Sequence, residues 1–340
     1  MRCAILAVSA VLPESVLTSA EIEERLSATY ARLKYPKGLI TGLTGIRERR
    51  LWEPGFMPSD AATLAARKAL ADSSLDPARL GLLVSTSVSK DYVEPSVASL
   101  VHGNLGLHPE CANFDVGNAC LGFLDGINVA SLMIASGRIS HAMIVAGESS
   151  REPVENTIRL LSAPGVSAEM LQENFATLTL GSGGAAMILA REDLAPGRPV
   201  IDGGVTLAAT RHCRLCLGHK DRMSADAPAV MKFGVELALA TWRKAERELA
   251  DWSDAAIDLY VPHQVSARNM RVLTQTLGLS PQKAALNFSF LGNIGPAAIP
   301  ITLALAWEEG RFAPGVHAAL LGIGSGLNCT MMSVAWRRDS

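Results

Sequence analysis

The five residues LGLHP at positions 105–109 recur as LGLSP at 277–281, which is 172 positions later in a chain of 340 residues. A second pair, Gly-Arg at 137–138 and again at 310–311, recurs with an offset of 173. Both offsets are close to half of the chain length, and no short solenoid-type period is visible. The sequence therefore predicts an internal duplication, with related halves over 1–190 and 191–340.

Helical and strand patterns alternate in the same order in both halves. The predicted helices cover 60–75, 94–105, 121–136, 267–277 and 299–309. The predicted strands cover 80–87, 111–116, 141–146, 257–261, 284–288 and 318–322. Strands that alternate with helices pair in parallel, and the helices cover the sheet. The pattern predicts an α/β fold built from two pseudo-duplicated halves.

The N-terminal residues fit the start of such a fold. The apolar residues that follow Arg2 predict a buried strand ending at Leu12-Pro13, and Thr18 with Glu21 has the spacing of a helix capping box,. A short secretory signal is the alternative for this stretch, although a single Arg makes a weak n-region. A cytoplasmic protein is the prediction.

Composition excludes several classes of protein. Apolar residues make up 49 % of the chain and charged residues 19 %, which is ample material for a core and atypical of disorder,. The net charge of −2, without a Lys/Arg cluster, disfavours nucleic-acid binding,. Six cysteines in 340 residues are too sparse for a disulfide scaffold,. No apolar run reaches the roughly 20 residues that a membrane span needs.

Three reactive side chains follow predicted strands of the two halves. Cys120 lies between a strand and a buried helix, where a helix N-terminus lowers a thiol pKa. His263 follows the strand over 257–261, and Asn293 lies in a glycine-rich turn. Taken singly they also fit a structural cysteine, a structural histidine and a turn asparagine. Ligands favour the carboxyl ends of parallel strands, so equivalent loops of two related halves can bring the three together.

The segments that carry these residues resemble the active-site segments of thiolase-superfamily condensing enzymes. The resemblance is closest to the OleA-type acyl-CoA condensing enzymes of the ketoacyl-ACP synthase III-like branch. It extends over nearly the whole chain and is carried by 44–50, 59–63, 87–96, 115–122, 178–181, 261–264, 292–296 and 321–329. It implies a thiolase-like fold with an αβαβα layered core, and a homodimeric acyltransferase that uses acyl-CoA as substrate without a further cofactor.

The resemblance also implies a role for each residue. Cys120 would carry an acyl group as a thioester, while His263 and Asn293 would bind the thioester carbonyl of a second substrate. The backbone amides of Cys120 and Ser325 would form an oxyanion hole. Glu94 would remove the α-proton of the second acyl chain and would reach the active site of the partner subunit.

Glu94 separates the possible reactions. Joining two unactivated acyl-CoAs requires a base, so Glu94 favours non-decarboxylative Claisen condensation of two long-chain acyl-CoAs to a 2-alkyl-3-keto acid, in olefin or related β-lactone biosynthesis. The alternative is decarboxylative condensation with malonyl-ACP, or a pyrone- or polyketide-forming reaction, which needs no such base. Apart from the resemblance, Glu94 beside Pro95 is typical of an acid at a helix N-terminus. A papain-like hydrolase and a non-catalytic acyl-binding protein fit the sequence less well.

One further segment contains possible metal ligands. Cys213 and Cys216 with the flanking His212 and His219 resemble a zinc knuckle, but four ligands within eight residues are too compact for usual structural sites,. No metal is predicted. The alternative is a surface segment at the CoA entrance whose cations meet the CoA phosphates. These cations are Arg211, Arg214, Lys220 and Arg222. The segments 152–175 and 205–228 break the strand–helix rhythm and are predicted to cover the acyl tunnels.

Overall fold

A computed structural model describes residues 2–219 and 221–338. Its strands are β1 Cys3–Val11, β2 Val16–Thr18, β3 Glu48–Arg50, β4 Leu82–Ser85, β5 Ala112–Asp115, β6 His141–Glu148, β7 Gly183–Arg191, β8 Val200–Ala208, β9 Cys216–Gly218, β10 Met223–Ala225, β11 Leu259–Pro262, β12 His317–Gly324 and β13 Asn328–Ala335. Its α-helices are α1 Ser19–Arg25, α2 Ser27–Leu33, α3 Leu39–Thr44, α4 Pro58–Ser73, α5 Val97–Leu105, α6 Gly122–Ala135, α7 Arg151–Leu161, α8 Ala168–Asn174, α9 Ala227–Glu248, α10 Ala267–Leu277, α11 Phe288–Leu291 and α12 Ala298–Glu308.

The main sheet repeats one strand order. Nine strands pair in the order β11-β12-β13-β8-β1-β7-β6-β4-β5. Within the first half the order from the middle outward is β1-β7-β6-β4-β5. Within the second half it is β8-β13-β12-β11. A single bridge from Tyr260 of β11 to Ala284 stands in the position that β5 has in the first half. Only Cys3 and Ala4 of β1 pair with β8, so the two groups of strands meet over a short stretch. We propose that the halves divide at 190/191, one residue before β7 ends.

The halves build five layers. Residues of α6 and α12 form one core cluster with side chains from β1, β4, β6, β7, β11 and β12, so these apolar helices lie between the two groups of strands. Helices α4 and α5 cover the other face of the first group, and α9 and α10 that of the second. The chain therefore has the predicted αβαβα core.

Most predicted elements agree with the structure within about three residues. Thr18 caps α1 through a capping box with Glu21, and α10 has its predicted bounds. The predicted strand over 284–288 is wrong. Ala284 makes one bridge, and the Oε1 of Gln264 then accepts hydrogen bonds from the backbone N–H groups of Asn287 and Phe288 and draws the chain into α11.

The predicted helix over 94–105 begins later than expected. Ser96 is its N-cap and its side chain accepts from the N–H of Ser99, so α5 starts at Val97. Asp115, at the end of β5, accepts from the N–H groups of Val97 and Ala98 and holds this helix end. Glu94 therefore lies in the loop before the helix. Among the described residues, no helix is both long enough and apolar enough to cross a membrane.

Candidate active site

Cys120 occupies a tight turn between β5 and α6. The preceding residue, Ala119, has φ of 47°, in the left-handed region that a residue with a Cβ rarely adopts,. The N–H of Leu121 donates to the Asn118 carbonyl (3.0 Å) and that of Gly122 to the Ala119 carbonyl (3.1 Å). A Cβ at Gly122 would lie 2.9 Å from the Thr86 carbonyl oxygen, so only glycine allows α6 to start this close to β4,. The turn places Cys120, a residue of intermediate exposure, at the start of a buried helix.

The turn between β12 and β13 packs against the Cys120 turn. A Cβ at Gly324 would lie 3.1 Å from the Leu121 nitrogen and 3.3 Å from the Cys120 nitrogen, so the two backbones are in contact. The Nδ2 of Asn328 donates to Oδ1 of Asn118 (3.0 Å), which fixes the same pair of turns. Ser325 directly follows Gly324. The structure therefore brings the turn that carries Ser325 into contact with the turn that carries Cys120.

His263 follows β11 and is 5 % exposed. Its N–H donates to the Leu321 carbonyl of β12 (2.8 Å), which holds it beside the strand that leads to Ser325. Burial lowers the pKa of His263 to about 4, so the ring is neutral at pH 7,. Its Nδ1 has no hydrogen-bond partner among the described residues. The ring is thus a neutral group with a free polar atom.

Asn293 is held on three sides by backbone contacts. Its N–H donates to the Thr179 carbonyl (2.9 Å), and its carbonyl accepts from the N–H of Gly181 (2.9 Å). Its side-chain Oδ1 accepts from the N–H of Gly295 (3.1 Å). The Oδ1 is therefore engaged in the turn, and the Nδ2 group is the donor that remains for a carbonyl oxygen.

Two buried side chains near these residues were not singled out from sequence. Gln264 is fully buried, and its amide joins α11 to Thr302 of α12, so it fixes the chain that leads to Asn293. Glu148 ends β6 with 4 % exposure, and burial raises its pKa to about 7. The available signal for Glu148 was an acid placed directly at the end of a long apolar strand.

The electrostatic prediction for Cys120 is wrong in direction. Burial of the sulfur, together with the neighbouring Cys216 and Glu148, raises the pKa of the Cys120 thiol to about 12. Desolvation thus outweighs the favourable end of α6, because a thiolate loses more hydration free energy than the partial charge of a helix terminus returns. At pH 7 Cys120 is therefore a neutral thiol, which would have to lose its proton to act as a nucleophile.

This raised pKa predicts an unusual alkylation profile. The rate of iodoacetamide reaction at Cys120 follows the thiolate fraction, which increases tenfold per pH unit below the pKa. We expect the rate to rise from pH 7 to pH 10 without levelling off, whereas free cysteine levels off above its pKa of about 8.5. Peptide mass spectrometry at each pH measures the Cys120 rate. A plateau below pH 9 would mean that the helix end or His263 controls the thiol.

Glu94 does not lie among these buried groups. It is exposed on the tip of the loop between β4 and α5, beside Tyr92 and the fully exposed Val93. The same edge of the molecule carries β5, which within the described residues pairs with β4 alone and exposes Phe114. An edge strand with unpaired backbone groups and apolar side chains is typical of a surface that binds another chain.

The predicted CoA-binding cations lie around the β9–β10 hairpin. Arg211, Arg214 and Arg222 are exposed, and Arg222 pairs with Asp221 (3.3 Å), while Lys220 is outside the described residues. Thr177 exchanges hydrogen bonds with the backbone of Met223 and ties the hairpin to the segment that holds Asn293. Within 2–219 and 221–338, no cluster of three His, Cys, Asp or Glu side chains could hold a metal ion.

Comparisons with known proteins agree with this geometry. The 3-oxoacyl-[acyl-carrier-protein] synthase III family matches residues 114–202, and the C-terminal family of the same name matches 248–336. An acyl-CoA:acyl-CoA alkyltransferase of Xanthomonas campestris is 45 % identical over 94 % of both chains. That of Shewanella oneidensis is 38 % identical over 94 % of this chain and 95 % of its own. A crystal structure of a Xanthomonas campestris OleA variant with bound lauric acid and lauroyl-CoA matches with a TM-score of 0.97, 42 % identity and 99 % coverage of both chains.

Proposed function

This chain belongs to the acyl-CoA:acyl-CoA alkyltransferase family of thiolase-fold condensing enzymes, and we propose that it joins two long-chain fatty acyl-CoAs by non-decarboxylative Claisen condensation. The observation that carries the proposal is the contact between the Cys120 turn and the Ser325 turn, beside a buried neutral His263. The product is a 2-alkyl-3-keto acid, which we place in long-chain olefin or related β-lactone biosynthesis.

The first half-reaction is acyl transfer to Cys120. The sulfur attacks the thioester carbonyl of one acyl-CoA, the carbonyl oxygen becomes an oxyanion, and CoA leaves with a proton. The backbone N–H groups of Cys120 and Ser325 are the proposed donors to that oxyanion. Fixed backbone donors suit this task because they need no reorganisation as charge develops. Because the thiol is neutral at rest, its proton must pass to an acceptor, and a neutral imidazole has the required lone pair,.

The second half-reaction is carbon–carbon bond formation. His263 and Asn293 are the proposed donors to the carbonyl of the second acyl-CoA, which makes its α-proton more acidic. Removal of that proton gives a carbanion that attacks the Cys120 thioester and releases the thiol. Water then cleaves the remaining CoA thioester and frees the 3-keto acid. The atoms balance without a redox or metal cofactor, so acyl-CoA and water are the only reactants that we propose.

Glu94 is the proposed base, and it acts in the partner subunit. Its exposed loop tip and the unpaired edge strand β5 lie on one surface, so an isologous dimer would pair this edge and carry each tip into the other subunit,. There the carboxylate would lie beside the acyl chain whose α-proton it removes, as a general base requires. We propose a cytoplasmic homodimer whose CoA phosphates meet Arg211, Arg214, Arg222 and Lys220 at the entrance, and which passes its product to enzymes acting downstream.

Product analysis with one long-chain acyl-CoA as the only substrate tests this function. We expect two CoA molecules to be released for each 2-alkyl-3-keto acid, detected by a thiol assay and by mass spectrometry of the ketone that forms on spontaneous decarboxylation. Malonyl-ACP, added in a parallel reaction, should not increase product. A requirement for malonyl-ACP would instead indicate the decarboxylative reaction.

A further inference from the structure

Glu148 is a buried carboxylate that the proposed chemistry does not use. It ends β6, and its carboxylate accepts three hydrogen bonds from one short segment: from the N–H of Val88 (2.8 Å), the N–H of Ser89 (3.1 Å) and the hydroxyl of Ser89 (2.7 Å). Burying a carboxylate is costly unless its oxygens are satisfied, so these donors stabilise it at this position. All three belong to the loop that carries Glu94.

The contacts of this loop define where it is fixed. The side chain of Ser87 accepts from the N–H of Gly147 (2.9 Å), so the start of the loop is attached to β6. Asp91 accepts from the hydroxyl of Ser59 (2.6 Å), and this hydrogen bond holds the last loop residue before the exposed tip. After Asp91, the four residues 92–95 are exposed. Glu148 and Asp91 therefore set the direction in which the Glu94 tip leaves the subunit.

The other side of Glu148 faces the active site of its own subunit. A Cβ at Gly295 would lie 3.8 Å from the Glu148 carboxyl carbon, and Gly295 holds the side chain of Asn293. The carboxylate is also close enough to Cys120 to affect the thiol. Glu148 could thus act on either of two sites: the site of its own subunit or, through the loop, the site that its Glu94 serves.

We propose that Glu148 is a positioning residue that holds the 87–91 segment so that Glu94 reaches the active site of the partner subunit. This inference rests on the proposed function, because it requires Glu94 to act across a dimer. The hydrogen bonds favour it: three join Glu148 to the loop, whereas no side-chain hydrogen bond from Glu148 to the Asn293 turn is found among the described residues.

Glu148→Gln tests the contacts while keeping the size of the side chain. The amide has one acceptor oxygen and an NH2 group that cannot accept, so at least one of the three loop donors loses its partner. We expect condensation to fall about 100-fold, the scale of a displacement of about 1 Å in a reacting group. Acylation of Cys120 should not fall, because loss of the Glu148 charge lowers the pKa of the thiol instead of raising it. Ser89→Ala removes one donor and should give a smaller loss with the same selectivity.

Asp254→Asn is the matched control. Asp254 also accepts from the N–H and the hydroxyl of a single serine, Ser280, but it lies before β11, away from the loop and from Cys120. Its replacement should lower thermal stability without changing the ratio of condensation to acylation. The same ratio in Glu148→Gln and in Asp254→Asn would overturn the proposal in favour of a purely structural role.

Heterodimers made by co-expression with two affinity tags decide which site Glu148 serves. Pairing Glu148→Gln with Cys120→Ala leaves one site with an intact Cys120 and a Glu94 from an intact loop, so condensation should return to about half of the wild-type rate. Pairing Glu148→Gln with Glu94→Gln should remain impaired, because the only Glu94 comes from the altered loop. The reverse pattern would show that Glu148 acts on its own Cys120 site, and would overturn the proposal.

The pair Cys120→Ala with Glu94→Gln is the reference. If this heterodimer regains activity, Glu94 acts across the dimer, and the two pairs above then test the role of Glu148 alone. If it stays inactive in purified heterodimers, the dimeric part of the proposed function fails, and that result is distinct from either outcome for Glu148. Ser89→Ala can replace Glu148→Gln in both pairs if the latter does not fold.

Discussion

Cys120→Ala is expected to abolish the acyl-enzyme and to lower condensation by a factor on the order of 10⁶, the scale seen when a covalent nucleophile is removed. The oxyanion donors, His263 and Asn293 all remain in this variant, but no atom is left to accept the acyl group. Because Ala differs from Cys only by loss of the sulfur atom, the unfolding free energy should change by about 1 kcal/mol.

Intact-mass spectrometry after incubation with a long-chain acyl-CoA measures this effect directly. The wild-type chain should gain the mass of one acyl group, and the Ala variant should gain none. Cys111→Ala is the control, since it removes a buried thiol at the opposite end of β5 and should leave the adduct unchanged. An equal adduct on Cys120→Ala would move the nucleophile to another residue.

The sequence was sufficient to place Cys120 after strand β5 and His263 after strand β11. Thr18 caps α1 through local hydrogen bonds, and α6 and α12 are apolar over three turns or more, so both features can be recognised in a single chain,. The offset of 172–173 residues pointed to the repeated strand order. Apart from the repeat, these predictions depend on interactions within a short stretch of chain.

The features that were wrong or missed depend on contacts between distant segments. The predicted strand over 284–288 has a strand-like composition, but Gln264, more than 20 residues away, takes the N–H groups of Asn287 and Phe288. The raised pKa of Cys120 comes from burial of its sulfur and from the neighbouring Cys216 and Glu148, which helix position alone does not reveal. In the sequence, Glu148 is an acid at the end of a strand with no visible partner, and only the fold shows that the N–H groups of Val88 and Ser89 donate to it.

Glu94→Gln should separate the two half-reactions. The amide keeps the size of the side chain but cannot accept a proton at neutral pH, so the Cys120 acyl-enzyme should still form while 3-keto acid production falls by a factor on the order of 10²–10⁴. His263 cannot replace the base while it donates to the carbonyl, and Cys120 is already acylated at this step. Single-turnover acylation by mass spectrometry and product formation by chromatography measure the two steps separately.

Glu110→Gln is the control for this substitution, because Glu110 is also exposed but precedes β5 at the other end of that strand. It should leave both half-reactions unchanged. If Glu94→Gln condenses two acyl-CoAs at the wild-type rate, the base is another group. If it condenses an acyl-enzyme with malonyl-ACP as well as the wild type does, carbanion formation occurs by loss of CO₂ and the non-decarboxylative reaction is not the function.

The position of Glu94 leads to a further prediction for the same variant. In a dimer that exchanges its loop tips, each active site combines the Cys120 of one chain with the Glu94 of the other. A heterodimer of Cys120→Ala and Glu94→Gln therefore contains one site that lacks both groups and one site that has both, and it should recover about half of the wild-type activity although each parent is inactive. If Glu94 served its own chain, both sites of that heterodimer would lack one group and no activity would return. Recovery consequently identifies the exposed tip beside Val93 as part of the partner's active site, which explains why a catalytic carboxylate lies on the surface of the isolated chain.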